Sequence, residues 1–288
     1  MREVYARVTQ IARQYLYQFM KDNQISPLNY HFDYYFDTCA EVYGIKILEH
    51  HFSNSKIEGL TMIDDEGISF SYEKENPIVK QNFTKCHELG HFILGHEGNV
   101  FTELNSGSES RLETEANIFS AVILMPDIVL LSNIYYRKDP FSKILSDLVV
   151  SAEALIYRLR DLLRYYLKSD YQIINQAISS YQQNYNKTIL DLFDQIKEEI
   201  ESEYKAVDVN PLVSVLSAIE KVNFVSSIDF PDLLENDFRK NLEQLDANIE
   251  TWAEFDFGKT IGYSWNKTKI TKKQAQSRAR TILLLETR

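Results

Sequence analysis

Two cysteines, Cys39 and Cys86, are too few among 288 residues to build a disulfide scaffold, which points to a reducing compartment. Nine glycines and six prolines are also few. With 44% hydrophobic and 12% aromatic residues, that scarcity excludes collagen-like, low-complexity and disordered chains. No run approaches about 18 uncharged apolar residues, so no membrane span is expected. The start, MREVYARVTQIARQYLYQFM, has no apolar core of a secretory signal. These absences together predict a soluble, cytoplasmic protein. The length suits one large domain or two ordinary ones.

The net charge of -11 argues against a protein built to wrap nucleic acid, yet the charge is uneven. From Lys259 to Arg288 eight basic residues face one acid, Glu286. Such a tail can touch nucleic acid or an acidic partner. The simpler reading folds it back on the acidic body.

Apolar residues at Val4, Val8, Ile11, Tyr15 and Phe19 recur at helical spacing and predict a helix over 2–21. A second helix is expected over 30–43, closed by Gly44, then a short strand at 45–48. Residues 58–63 and 68–72 read as strands around an Asp64–Gly67 turn, with 68–72 open to an added substrate strand. Helices follow from Pro77 to Leu94 and over 109–124. Beyond Pro126 the expectation is almost wholly helical: 142–167, 171–184, 187–205, 211–222 and 231–248. The expected division is a first domain over 1–140 and an α-helical region over 141–288.

The informative segment is Cys86-His87-Glu88-Leu89-Gly90-His91, an H-E-x-x-H pattern inside a predicted helix. Histidines four residues apart lie about 40° apart around a helix, so both imidazoles reach one ion. Zinc held by two histidines and a carboxylate keeps a position open for water and lowers its pKa to about 7. Glu88 is placed to take the water's proton and hand it to a leaving amine. Five letters match by accident in roughly one chain of this length in a hundred, but the helical setting raises their weight. Manganese accepts the same ligands.

The third ligand is sought in Glu113-Thr114-Glu115-Ala116-Asn117-Ile118-Phe119-Ser120. The stripe Leu112, Glu115, Phe119, Val122 is apolar apart from Glu115, and a carboxylate there is costly unless paired or bound to metal. Glu115 is therefore the expected ligand. Glu113, roughly 200° away on the polar stripe with Glu109, Asn117 and Ser120, is expected to face water. An ion pair of Glu115 with a nearby Lys or Arg is the alternative. His96 follows His91 too closely for a three-histidine site and is expected to complement the helix C-terminus. Cys86 reads as a small buried hydrophobe.

The run Asn82-Phe83-Thr84-Lys85-Cys86-His87-Glu88-Leu89-Gly90-His91, then Glu113-Thr114-Glu115-Ala116-Asn117-Ile118-Phe119 and Leu124-Met125-Pro126, resembles the ImmA/IrrE family of metallopeptidases. Val149-Val150-Ser151 with Arg158-Leu159 resembles the helical module that follows in that family. The resemblance covers about residues 30–165, and Gln81-Asn82, Cys86 and Ser120 depart from its pattern. It implies an α+β, zincin-like core, a small antiparallel sheet beside two motif helices, followed by a mostly α-helical region. It also implies metal ligands His87, His91 and Glu115, Glu88 as catalytic base, and cleavage of a helix-turn-helix repressor. The alternative is a regulator that binds a partner or DNA through the helical half and basic tail.

Overall fold

The computed structural model describes residues 2–52, 57–64, 67–96, 100–104, 110–167, 170–207, 210–256 and 258–286. Two compact units emerge, one formed by Met1–Met20 and Ile25–Val207, the other by Lys21–Gln24 and Asp208–Arg288.

In the first unit, helices α1 (Arg2–Asp22) and α2 (Phe32–Tyr43) precede strands β1 (Ile45–His50), β2 (Ile57–Asp64) and β3 (Gly67–Glu73). Gly44 ends α2 in the left-handed conformation, as the sequence suggests. Helix α3 (Ile78–Ile93), strand β4 (Val100–Leu104) and helix α4 (Arg111–Leu124) follow. The sheet order is β1-β3-β2-β4. Strand β1 runs parallel to β3, so the sheet is mixed rather than antiparallel throughout. Strand β3 is paired on both sides, which corrects the expectation that 68–72 offers an edge; the outer strands are β1 and β4. Residues 65 and 66 of the expected turn lie outside the described residues.

The chain then stays helical through α5 (Asp127–Leu130) with a π-helical continuation over Leu131–Tyr136, α6 (Phe141–Leu148), α7 (Ala152–Tyr166), α8 (Tyr171–Gln182) and α9 (Lys187–Ala206). Val149, in the left-handed conformation, splits the expected 142–167 helix into α6 and α7, and Ser151 caps the second piece by accepting from Ala154 N. One apolar core runs from Val8 and Leu16 through Leu89, Phe119 and Leu130 to Leu159, Phe193 and Ile200. That shared core carries the first unit past the expected boundary at 140 to Val207.

Within this core sits a fully buried carboxylate, Asp127. Arg13 of α1 and Arg158 of α7 both pair with it, and the Tyr166 hydroxyl donates to it at 3.0 Å. Arg158 Nε also donates to the Met125 carbonyl at 3.0 Å. Burial alone would raise the Asp127 carboxyl, but the two guanidinium charges outweigh it and hold the group below its ordinary 3.8.

The second unit contains helices α10 (Pro211–Val222), α11 (Asn236–Leu245) and α12 (Lys272–Glu286). It also has three strands that the helical expectation for 141–288 lacks: β5 (Phe224–Ser226), β6 (Ile249–Asp256) and β7 (Lys259–Asn266), ordered β5-β7-β6 and antiparallel. Gly262 of β7 passes against a short helical turn, where a Cβ would fall 2.0 Å from the Leu233 carbonyl oxygen. Only glycine fits there. In the basic tail, Arg280 pairs with Glu254 of β6 at 2.6 Å and the Lys272 ammonium lies over the Trp252 ring. Among the described residues no single helix is long and apolar enough to cross a membrane; the bent pair Arg111–Leu124 and Asp127–Tyr136 passes that test only jointly.

Asp127→Ala leaves two buried guanidinium groups without their shared counter-charge and is expected to cost about 3–5 kcal/mol in urea unfolding. Because the folded carboxyl lies below its unfolded value, its contribution is complete above pH 3.8 and declines as pH falls through the folded pKa. The variant's acid limb should therefore be flatter than that of the wild type.

Candidate metal centre

Helix α3 buries the face that carries Asn82, Cys86, His87, Leu89, Gly90 and His91. At Gly90 it meets α4 backbone to backbone: a Cβ would lie 3.2 Å from Phe119 Cβ and 3.3 Å from Ala116 Cα. The Ser120 hydroxyl donates to the Phe83 carbonyl at 2.9 Å and adds a polar tie between the helices. The serine that departs from the resembled pattern thus has a structural task.

This close crossing brings three side chains together. His87 Nε2 and His91 Nε2 are 3.0 Å apart, and the Glu113 oxygens lie 3.1 Å from the first and 3.5 Å from the second. Among the described residues this trio is the group of His, Cys, Asp or Glu side chains able to hold a metal ion. Of the two carboxylates it is Glu113, not the expected Glu115, that the structure brings to the two histidines, in a group that could hold an ion. The stripe Glu113, Asn117, Ser120 is polar because it faces α3 and the histidines, not because it faces water. Glu109 lies outside the described residues. The cost of burying Glu115 is met as the alternative foresaw, by Arg7 Nη2 at 2.5 Å and Arg111 Nε at 2.8 Å. Burial would raise the Glu115 carboxyl, but hydrogen bonds from both arginines bring it down to about 2.

The donor set suits a divalent metal. Ligands about 2.0–2.1 Å from a tetrahedral centre lie roughly 3.3 Å apart, close to the separations here. The outer nitrogen of His87, Nδ1, is 2.9 Å from Asn117 Oδ1. An amide oxygen only accepts, so Nδ1 carries the proton and Nε2 turns its lone pair inward. Two inward imidazole nitrogens and a carboxylate at such separations repel one another unless a cation joins them.

Glu88, 1% exposed, points to the sheet, where the Thr61 hydroxyl of β2 donates to its Oε2. Thr61 was not singled out from the sequence; its place in a strand two positions from Gly59 gave no local signal. His96 joins neither Glu113 nor the inward nitrogens. Its Nδ1 is 2.8 Å from His91 Nδ1, on the outer side of that ring. Burial lowers its pKa and favours the neutral ring. Cys86 is fully buried and its thiol is pushed well up by burial, as befits a packing residue. A cavity of about 810 Å³ shares Phe83 and Asn117 with the surroundings of His87, and Tyr5, Ile118, Tyr157 and Arg164 extend its lining.

Residues 40–160 match the family model described as the IrrE N-terminal-like domain. The chain is also similar to the radiation response metalloprotease IrrE of Deinococcus radiodurans, with 31% identity over 91 residues, covering 28% of this chain and 27% of that protein. The match thus spans about a quarter of the relative's length. No solved structure matches.

Metal analysis of purified protein after zinc loading is expected to find the ion in wild type and Glu115→Ala and to lose it in Glu113→Ala. The reverse pattern would restore Glu115 as the ligand.

Proposed function

We propose that the chain, whose residues 40–160 match the IrrE N-terminal-like domain, is a zinc-dependent endopeptidase of the ImmA/IrrE family with a zincin-like centre, acting on a protein partner in the cytoplasm. The observation that carries this reading is the convergence of His87, His91 and Glu113, with Glu88 buried next to His87 on the same helix. The three residues hold the metal, which when bound polarises a water and the substrate carbonyl.

Glu88 does the proton work. Its carboxylate, held at one oxygen by Thr61, accepts a proton as water adds to the peptide carbonyl carbon. It returns that proton to the amide nitrogen as the C–N bond breaks. The near-complete burial of Glu88 strengthens this exchange by excluding competing solvent. Strand β2 carries Thr61 and pairs with the outer strand β4, so an extended substrate adds as a further strand at β4 rather than at the internal β3. The cavity beside Phe83 and Asn117 receives one large apolar or aromatic side chain of that substrate. The resemblance in the motif blocks favours a DNA-binding repressor as the partner.

Glu88→Gln separates catalysis from binding, since the amide keeps size and hydrogen bonding but cannot take the proton. Zinc content should stay at wild-type level while cleavage of a repressor partner falls by about 10²–10⁴-fold. Full biological effect in this variant would instead assign the protein to partner or DNA binding.

A further inference from the structure

We infer that His96 and Glu115 form a hydrogen-bonded relay that fixes the tautomer and orientation of His91, so that Glu115, although no ligand, sets how tightly the metal is held. The inference rests on the metal-binding reading above.

The relay begins with the end of α3. Gly95 adopts the left-handed conformation with φ +65, its N–H bonds the Phe92 carbonyl at 3.1 Å, and the His96 N–H bonds the His91 carbonyl at 3.1 Å. This pair of bonds is the Schellman termination, in which the second residue past the cap folds back over the residue three from the helix end. Ordinarily two apolar side chains meet there. Here they are His96 and His91, with their Nδ1 atoms 2.8 Å apart. The remaining nitrogen of His96, Nε2, reaches Glu115 Oε2 at 3.3 Å.

The proton positions follow from what each group can do. Glu115 is ionised between two arginines and only accepts, so His96 Nε2 donates to it. The neutral His96 ring then has only a lone pair on Nδ1, and His91 Nδ1 must donate. With its proton on Nδ1, His91 presents a lone pair at Nε2, which is the atom 3.0 Å from His87 Nε2. Ligand histidines generally donate their outer N–H to a carboxylate or carbonyl, and losing that partner costs about 10–100-fold in metal affinity. In this chain the carboxylate acts at one remove, through a second imidazole. Arg7 and Arg111 keep it charged and in place. His96 and Glu115 are therefore positioning residues.

The test is zinc affinity of the full chain by chelator competition, with circular dichroism of each metal-free variant as the folding control. His96→Ala should bind zinc about 10–100-fold more weakly, and His96→Gln should recover much of the loss, because its amide oxygen can accept from His91 Nδ1. Glu115→Gln should weaken binding on its own but add nothing in the His96→Ala background, since it acts through His96. Wild-type affinity in His96→Ala, or additive losses in the double variant, overturns the relay while leaving the metal site intact. If His96→Ala does not fold, Glu115→Gln decides, and unchanged affinity there overturns the relay. A wild-type chain that binds no zinc overturns both this inference and the peptidase reading.

Discussion

The whole site depends on how closely α3 and α4 cross. Gly90 lies between the two histidines of the motif, and the space that a side chain would need there is taken by Phe119 and Ala116. A methyl group would have to push the helices apart by a few tenths of an ångström, and packed interiors resist such shifts. The same crossing sets the reach of Glu113, which is on α4, to His87 and His91, which are on α3. Both ends of α4 are held as well. Ser110 caps its start by accepting from the Glu113 N–H, and just beyond its end the chain is fastened at Met125 and Asp127. A buried ion cluster of this kind contributes little net stability compared with apolar side chains of similar size. What it does supply is direction: Arg13 and Arg158 can satisfy Asp127 only if α1 and α7 lie where they do.

Much of the first unit was legible because its signals are local. Helical spacing located α1 to α4, Gly44 marked a helix end, and alternation located β2 and β3. The strands of the second unit carried an equally local signal that the helical reading passed over. Ile261, Tyr263 and Trp265 alternate and are all buried, and Gly258, with φ +78, stands between β6 and β7. Residues 249–266 therefore read as a hairpin once periods of two are sought beside periods of three and four.

The places of Glu113 and Glu115 were not legible for a different reason. The argument that a carboxylate in an apolar stripe needs a partner was sound, but the partners are Arg111, four residues back on the same helix, and Arg7, more than a hundred residues earlier in the chain. Helical periodicity tells which residues share a face; it does not tell what that face meets. A polar stripe can border water or border a site. Ser120, fully buried on that stripe, shows which applies here. The compact units divide near 207 rather than at the expected 140, since the three-dimensional core joins Leu159 and Phe193 to Leu16 and Leu89.

One short stretch of α4 consequently reaches both histidines of the candidate metal centre. Glu113 meets both histidines, Asn117 holds the outer nitrogen of His87, and Glu115 reaches that of His91 by way of His96. Residues 113 and 117, four apart, share the face turned to α3, whereas 115 points away, toward α1 and the segment that follows α3. The alternation of Glu, Glu and Asn at 113, 115 and 117 is thus a division of labour between two helix faces. Because all three groups ride on one rigid helix, a displacement of α4 moves the donor and both supports together. On the proposed reading, metal affinity therefore depends on helix packing as well as on the ligands themselves.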